Sequence, residues 1–156
     1  MTIVALTNFI EVSNAAGKVQ FRFQNSRPGE SITYRGLSFP YLSFIYQGAA
    51  KNRTGDNLES ALVLSVNPIS MGYAVQAAQN RWNVRVDSCS MHPTTFAVGK
   101  TLTTEFWLAA SMSYDAETVE VLLSSSIDAV GAAAPTRVLT RAMVGALPTT
   151  SSIANR

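Results

Sequence analysis

The run from Leu102 to Tyr114 is the longest stretch of alternation in the chain, and it limits the fold more than any other feature. Leu102, Thr104, Phe106, Leu108, Ala110, Met112 and Tyr114 recur at every second position, a period that fits a strand and no helix face. Asp115-Ala116-Glu117 supplies a turn, and Val119, Val121 and Leu123 return. Two strands, about 101–114 and 117–126, are therefore expected to pair as a hairpin. Neighbours on a strand point to opposite sides. Trp107 then cannot share the face of Phe106 and Leu108, which leaves it either at an interface with another chain or beneath a helix at 70–79.

The rest of the chain reads in the same way. Phe9, Ile10 and Val12 lead into a turn at Asn14-Ala15-Ala16-Gly17. Val19, Phe21 and Phe23 alternate with Gln20, Arg22 and Gln24. Ser31 to Tyr34 and Leu37 to Phe39 flank Arg35-Gly36, a short hairpin connection, and Pro40 either weakens the return strand or places it at an edge. Residues 47–57 carry glycine and charge without a large apolar group and read as a loop. Leu58, Ser60, Leu62, Leu64 and Val66 make the next strand. Asn67-Pro68 is a helix start, with Asn as cap and Pro in the first turn. The helix is expected over 69–79, with Ile69, Met71, Tyr73, Val75, Ala77 and Ala78 facing inward. Trp82, Val84 and Val86 open a strand that runs towards Met91. Gly131 to Pro135 reads as a loop and Val138 to Val144 as a last strand. About eight strands and one helix result. The expected class is mainly β (α+β), an antiparallel β-barrel or sandwich with one flanking helix. One domain over 1–147 is followed by a polar tail at 148–156.

Charge is scarce. Only 14% of residues are charged, against about 25% in ordinary soluble domains. A hydroxyl-rich surface is easier to desolvate than a charged one. The composition fits a protein whose surface is covered by neighbours, or a plain compositional bias. The net charge of +2 has no basic stripe, so nucleic-acid binding is not expected. No run reaches the ~20 apolar residues of a membrane span, and the N-terminus lacks the basic leader of a signal peptide.

Reactive groupings are equally scarce. Cys89 and His92 are the single Cys and single His, too few for a zinc site, and their odd spacing points them to opposite faces. No Gly-x-Ser-x-Gly elbow or phosphate-binding loop occurs. Glu117 and Glu120 are expected to face solvent. No enzyme activity, cofactor or metal is expected. Trp107, Trp82, Tyr34, Phe39 and Tyr41 could line a sugar-binding platform, or serve as core and interface anchors. The loop from Gln47 to Asn57 concentrates Lys51, Arg53 and Asp56, with Glu59 just beyond. It reads either as a register-setting contact between subunits or as a solvated tip. Lys51, Arg53, Asp56, Glu59 and Trp107 are thus the candidate interface residues.

The order of these pieces carries a resemblance. Ser31-Ile32-Thr33-Tyr34-Arg35-Gly36-Leu37-Ser38-Phe39-Pro40-Tyr41, a polar loop, Leu62-Val63-Leu64-Ser65-Val66-Asn67 and a helix resemble the N-terminal domain of the minor tail protein L family of lambda-like bacteriophages. Phe106-Trp107, Val119 to Ser125, Asp128 to Gly131 and Pro135-Thr136-Arg137-Val138-Leu139 are similar in order. The resemblance spans about 8–140 and implies a hub domain like the tail-tube barrel. It implies a structural virion protein of the tail tip or baseplate, made in the host cytoplasm and set in a ring around the tail lumen. The implied partners are copies of itself and other tail or baseplate proteins. The family's cysteine-rich segment, which ligates an iron–sulfur cluster, has no counterpart here. A soluble carbohydrate-binding β module and a head–tail accessory protein are the alternatives.

Overall fold

A computed structural model describes residues 3–48 and 59–125. Residues 49–57 of the expected 47–57 loop, the strand at 138–144 and the tail at 148–156 lie outside the described residues. Nine strands and one helix occur among those described. They are β1 (Ala5–Ser13), β2 (Val19–Gln24), β3 (Ile32–Tyr34), β4 (Leu37–Phe39), β5 (Phe44–Gln47), β6 (Glu59–Ser65), α1 (Pro68–Gln79), β7 (Asn83–Met91), β8 (Val98–Tyr114) and β9 (Thr118–Ser124).

Seven strands form one antiparallel sheet in the order β2-β1-β7-β8-β9-β6-β5, and β3 pairs with β4 alone. Mainly β with one helix is the class expected. The sheet is open and not a closed barrel. Its outermost strands β2 and β5 do not pair. A parallel bridge joins Gln24 of β2 to Tyr41, ahead of β5, where Leu42 N–H donates to the Gln24 carbonyl across 3.0 Å, and Asn25 Nδ2 donates to the Phe44 carbonyl at 3.4 Å.

Both faces are covered, and each cover has its own core. On the inner face Ile10, Val12, Leu62, Leu64, Val84, Val86, Trp107, Val119, Val121 and Leu123 pack with Ala74 and Ala77 of α1. On the outer face Phe9 and Cys89 pack beneath Ile32, Tyr34 and Phe39 of the β3–β4 hairpin. Adjacent residues of a strand point to opposite sides. That is why β1 can bury Phe9 and Ile10 together, each only 1% exposed.

Local chemistry fixes the covers. In the hairpin, Arg35 (φ 53°) and Gly36 (φ 73°) both sit in the left-handed region. That is the pairing a two-residue connection needs to match strand twist. For the helix, the Asn67 side chain accepts from Ser70 N–H at 2.8 Å and the Ser70 hydroxyl accepts from Asn67 N–H at 3.0 Å. The helix turns Ser70, Ala74 and Ala77 inward, with Met71 and Tyr73 half-buried beside them. Ile69, expected inside, is 58% exposed. Tyr73 stacks on Phe21 of β2, ring centres 3.8 Å apart, and this rotation of the helix leaves Ile69 over solvent.

The largest correction concerns β8. Its inward residues are Trp107 and Ala109, not Phe106. Besides an irregularity at the start of β8, between the Cys89–Thr101 and Met91–Val98 pairs, two bulges fall within the alternating run. Cys89 pairs with Thr101 and Ser88 with Thr103, leaving Leu102 unpaired. Ala109 pairs with Leu123 and Ser111 with Leu122, leaving Ala110 unpaired. Each extra residue flips the side-chain parity. Met112 thereby joins the core of Trp107, while Phe106 is 71% exposed.

Candidate functional site

Of the five expected interface residues, only Glu59 and Trp107 are among the described residues. Lys51, Arg53 and Asp56 lie outside the described residues. Glu59 is exposed at the start of β6. Trp107 is 6% exposed in the core to which α1 contributes, so its ring is not offered to a partner. Its Nε1–H donates to Tyr46 Oη at 2.8 Å. The expected aromatic platform does not form either. Tyr34 and Phe39 pack on Phe9 under the outer cover, whereas Trp107 and Trp82 belong to the inner core. Cys89 is fully buried and His92 exposed. His92 Nδ1 accepts from the Thr94 and Thr95 N–H groups, which makes it a turn residue. Among the described residues no three His, Cys, Asp or Glu converge as metal ligands.

A different cluster is present on the outer face, around Asp87. This residue is 3% exposed in the middle of β7. Its Oδ1 accepts from Thr104 Oγ1 at 2.7 Å and from Arg85 Nε at 3.1 Å. Its Oδ2 accepts from Tyr34 Oη at 3.2 Å and faces Arg35 Nη1 at 3.7 Å. A buried carboxylate is tolerated only when its lone pairs are met in this way. Burial raises the pKa of the Tyr34 phenol, and the Asp87 charge adds to the rise.

The cluster extends to the surface. Two guanidinium groups meet one carboxylate, and their side chains remain 43% exposed at Arg35 and 27% at Arg85. Arg85 Cζ lies 5.5 Å from the centre of the exposed Phe106 ring. A shallow groove follows, lined by Glu11, Asn83, Arg85, Phe106 and Leu108. Glu11 is itself paired with Arg22 at 2.9 Å. No nucleophile with a base is part of this arrangement. It offers spare guanidinium N–H groups and an aromatic ring, which suits carboxylates and apolar side chains of another molecule.

Sequence reading missed this site because its members are far apart in the chain. Tyr34 lies 53 residues from Asp87. The one local signal was an Asp inside Val84-Arg85-Val86-Asp87-Ser88-Cys89, a carboxylate in a strand otherwise bound for burial.

Fold and site together define a non-closed antiparallel sheet with a helix on one face, a hairpin on the other and a basic aromatic patch on its outside. No protein-family model matches the chain, and no curated protein does. Among solved structures it is similar to a chain in the virion of a native gene transfer agent particle, with a TM-score of 0.54 and 14% identity. The match covers 88% of this chain and 44% of that one. At that identity the likeness is one of fold, and this chain spans under half the length of its neighbour.

Proposed function

We propose that the protein is a structural component of a phage-like virion, placed at the tail tip or baseplate, where copies join in a ring around the lumen. The observation that carries this reading is the shared fold with a virion chain over most of the sequence. Three features support it. Charge is low, at 14%. Among the described residues β2 and β5 each have one side without a strand neighbour, and such edges can pair between subunits. Ile45, Phe106 and Tyr114 are all more than half exposed, as expected of side chains that a neighbour covers. The role is one of assembly, without catalysis. It is tested by disrupting the gene in its particle-producing host and imaging the particles, with antibody labelling of the intact form. Filled heads with absent or aborted tails, and label at the tail end, are expected. Normal infectious particles without the protein would overturn the reading.

A further inference from the structure

We propose that the Arg35, Arg85 and Phe106 patch receives the β8–β9 turn of a second copy of this chain, with Tyr114 and Glu117 as the inserting groups. The proposal rests on the assembly role argued above and names its contact. The two surfaces are opposite in sign, and each carries an exposed aromatic ring. The patch holds two guanidinium groups against one carboxylate, beside a Phe106 ring that is 71% exposed. The turn holds Tyr114, 68% exposed, with Asp115 and Glu117. Asp115 spends its carboxylate on the turn itself, accepting from the N–H groups of Glu117 and Thr118 at 2.8 and 2.7 Å. These bonds hold its pKa below the ordinary carboxylate value. Glu117 is exposed beside it, and its carbonyl accepts from Val66 N–H at 2.9 Å. That bond brings the 38% exposed Val66 next to the turn as a further apolar contact.

The two surfaces cannot meet within one chain. Phe106 and Tyr114 lie on the same strand, roughly 25 Å apart at ~3.3 Å per residue. They can be satisfied only between copies. A contact between two different patches is head-to-tail, and repeated it closes a ring or grows a filament. The charges set which end meets which patch, and the aromatic groups supply the area to be covered.

The test uses the full chain and two damaged forms. In one the turn is altered by Tyr114→Ser with Glu117→Arg. In the other the patch is altered by Phe106→Ser with Arg35→Gly, a change that the left-handed backbone at Arg35 accepts. Circular dichroism and thermal melting confirm that each form is folded, and Glu117→Gln serves as a milder turn variant. In analytical ultracentrifugation the unaltered chain should self-associate, less so at high salt. Each damaged form should associate at least tenfold more weakly. Mixed together, the two damaged forms should pair one to one and stop there, because each keeps one intact half. A monomeric unaltered chain at about 100 μM, or damaged forms that fail to pair on mixing, would overturn the contact. Label at the tail end of particles without such pairing leaves the virion role standing and removes only this contact, the patch then serving another protein. Pairing in a chain that particles lack does the reverse.

Discussion

Trp107 of β8 donates its indole N–H to the phenol oxygen of Tyr46 on β5 across 2.8 Å, although β9 and β6 separate the two strands in the sheet. The bond is possible only because the sheet curls until its fourth and seventh strands face each other. Tyr46 in turn donates to Glu105. Trp107 thus ties the curl from inside. Trp107→Ala should lower folding stability by about 3–5 kcal/mol, measured by urea unfolding, and should leave association of the folded chain unchanged. A loss of association with normal stability would place Trp107 at an interface after all.

The same bond gives a pH dependence. Burial, and then the hydrogen bond to Glu105, push the Tyr46 phenol up to about 12. The neutral phenol is the form the fold prefers. Between pH ~10, where an unfolded tyrosine loses its proton, and 12, the unfolded state binds fewer protons than the folded one. Stability therefore falls as pH rises through this window and is fully present below it. Tyr46 is half-buried, so solvent screening reduces the effect to about 1 kcal/mol. Tyr46→Phe should flatten this part of the stability curve, as read by urea midpoints at pH 9, 10.5 and 12.

Asp87 and its two arginines should respond very unequally to substitution. Removing the buried carboxylate leaves Arg85 and Thr104 without their acceptor, while Tyr34 Oη keeps Thr101 Oγ1 at 2.9 Å. Asp87→Ala should lower stability by about 3–5 kcal/mol. Arg35 meets the same carboxylate from the surface at 3.7 Å, its own side chain 43% exposed, and so long a contact from a solvated guanidinium contributes about 0–1 kcal/mol. Arg35→Gly should therefore be near neutral in thermal melting. Equal losses for the two would mean that the network is not centred on Asp87.

How much of this was legible beforehand depended on the range of the interaction. Arg35-Gly36 and Asn67-Pro68 marked the hairpin and the helix start because their chemistry acts within a few residues. Val119, Val121 and Leu123 announced their face because β9 is unbroken. β8 did not, since it carries large apolar groups at both parities and the bulges at Leu102 and Ala110 decide which side wins. β5 went unforeseen because four residues, Phe44-Ile45-Tyr46-Gln47, carry too little pattern. Asp87 and the Trp107–Tyr46 bond went unseen for a different reason. They exist only once strands distant in sequence are folded side by side.

Gln24 makes a further prediction. It is fully buried, and its amide is completely used. Oε1 accepts from the N–H groups of Ser26 and Arg27 at 2.7 and 2.8 Å, and Nε2 donates to the carbonyls of Arg27 and Glu30 at 2.9 Å each. One side chain thereby shapes the turn that delivers the outer hairpin. Gln24→Leu keeps the bulk and removes every bond, leaving backbone groups unmet at about 1–3 kcal/mol each where they stay dry. A loss of about 3 kcal/mol is expected. Hydrogen exchange should rise first at Ser26 to Glu30, ahead of the sheet.

The last prediction concerns the bulged start of β8. A Cβ added at Gly99 would lie 2.6 Å from Ser90 Oγ. That hydroxyl is already engaged, accepting from Lys100 N–H at 2.8 Å and donating to the Lys100 carbonyl at 3.2 Å. Gly99→Ala must therefore displace a group that holds the β7–β8 register, at about 1–2 kcal/mol, in the range of other overpacking changes. Ser90→Ala removes the obstructing oxygen and forfeits its two bonds, for about 1 kcal/mol in this exposed setting. In the double variant the clash is gone, so the combined loss should fall short of the sum by at least 0.5 kcal/mol. Urea unfolding of the four chains measures this directly. Strict additivity would show that Gly99 is held there by something other than Ser90.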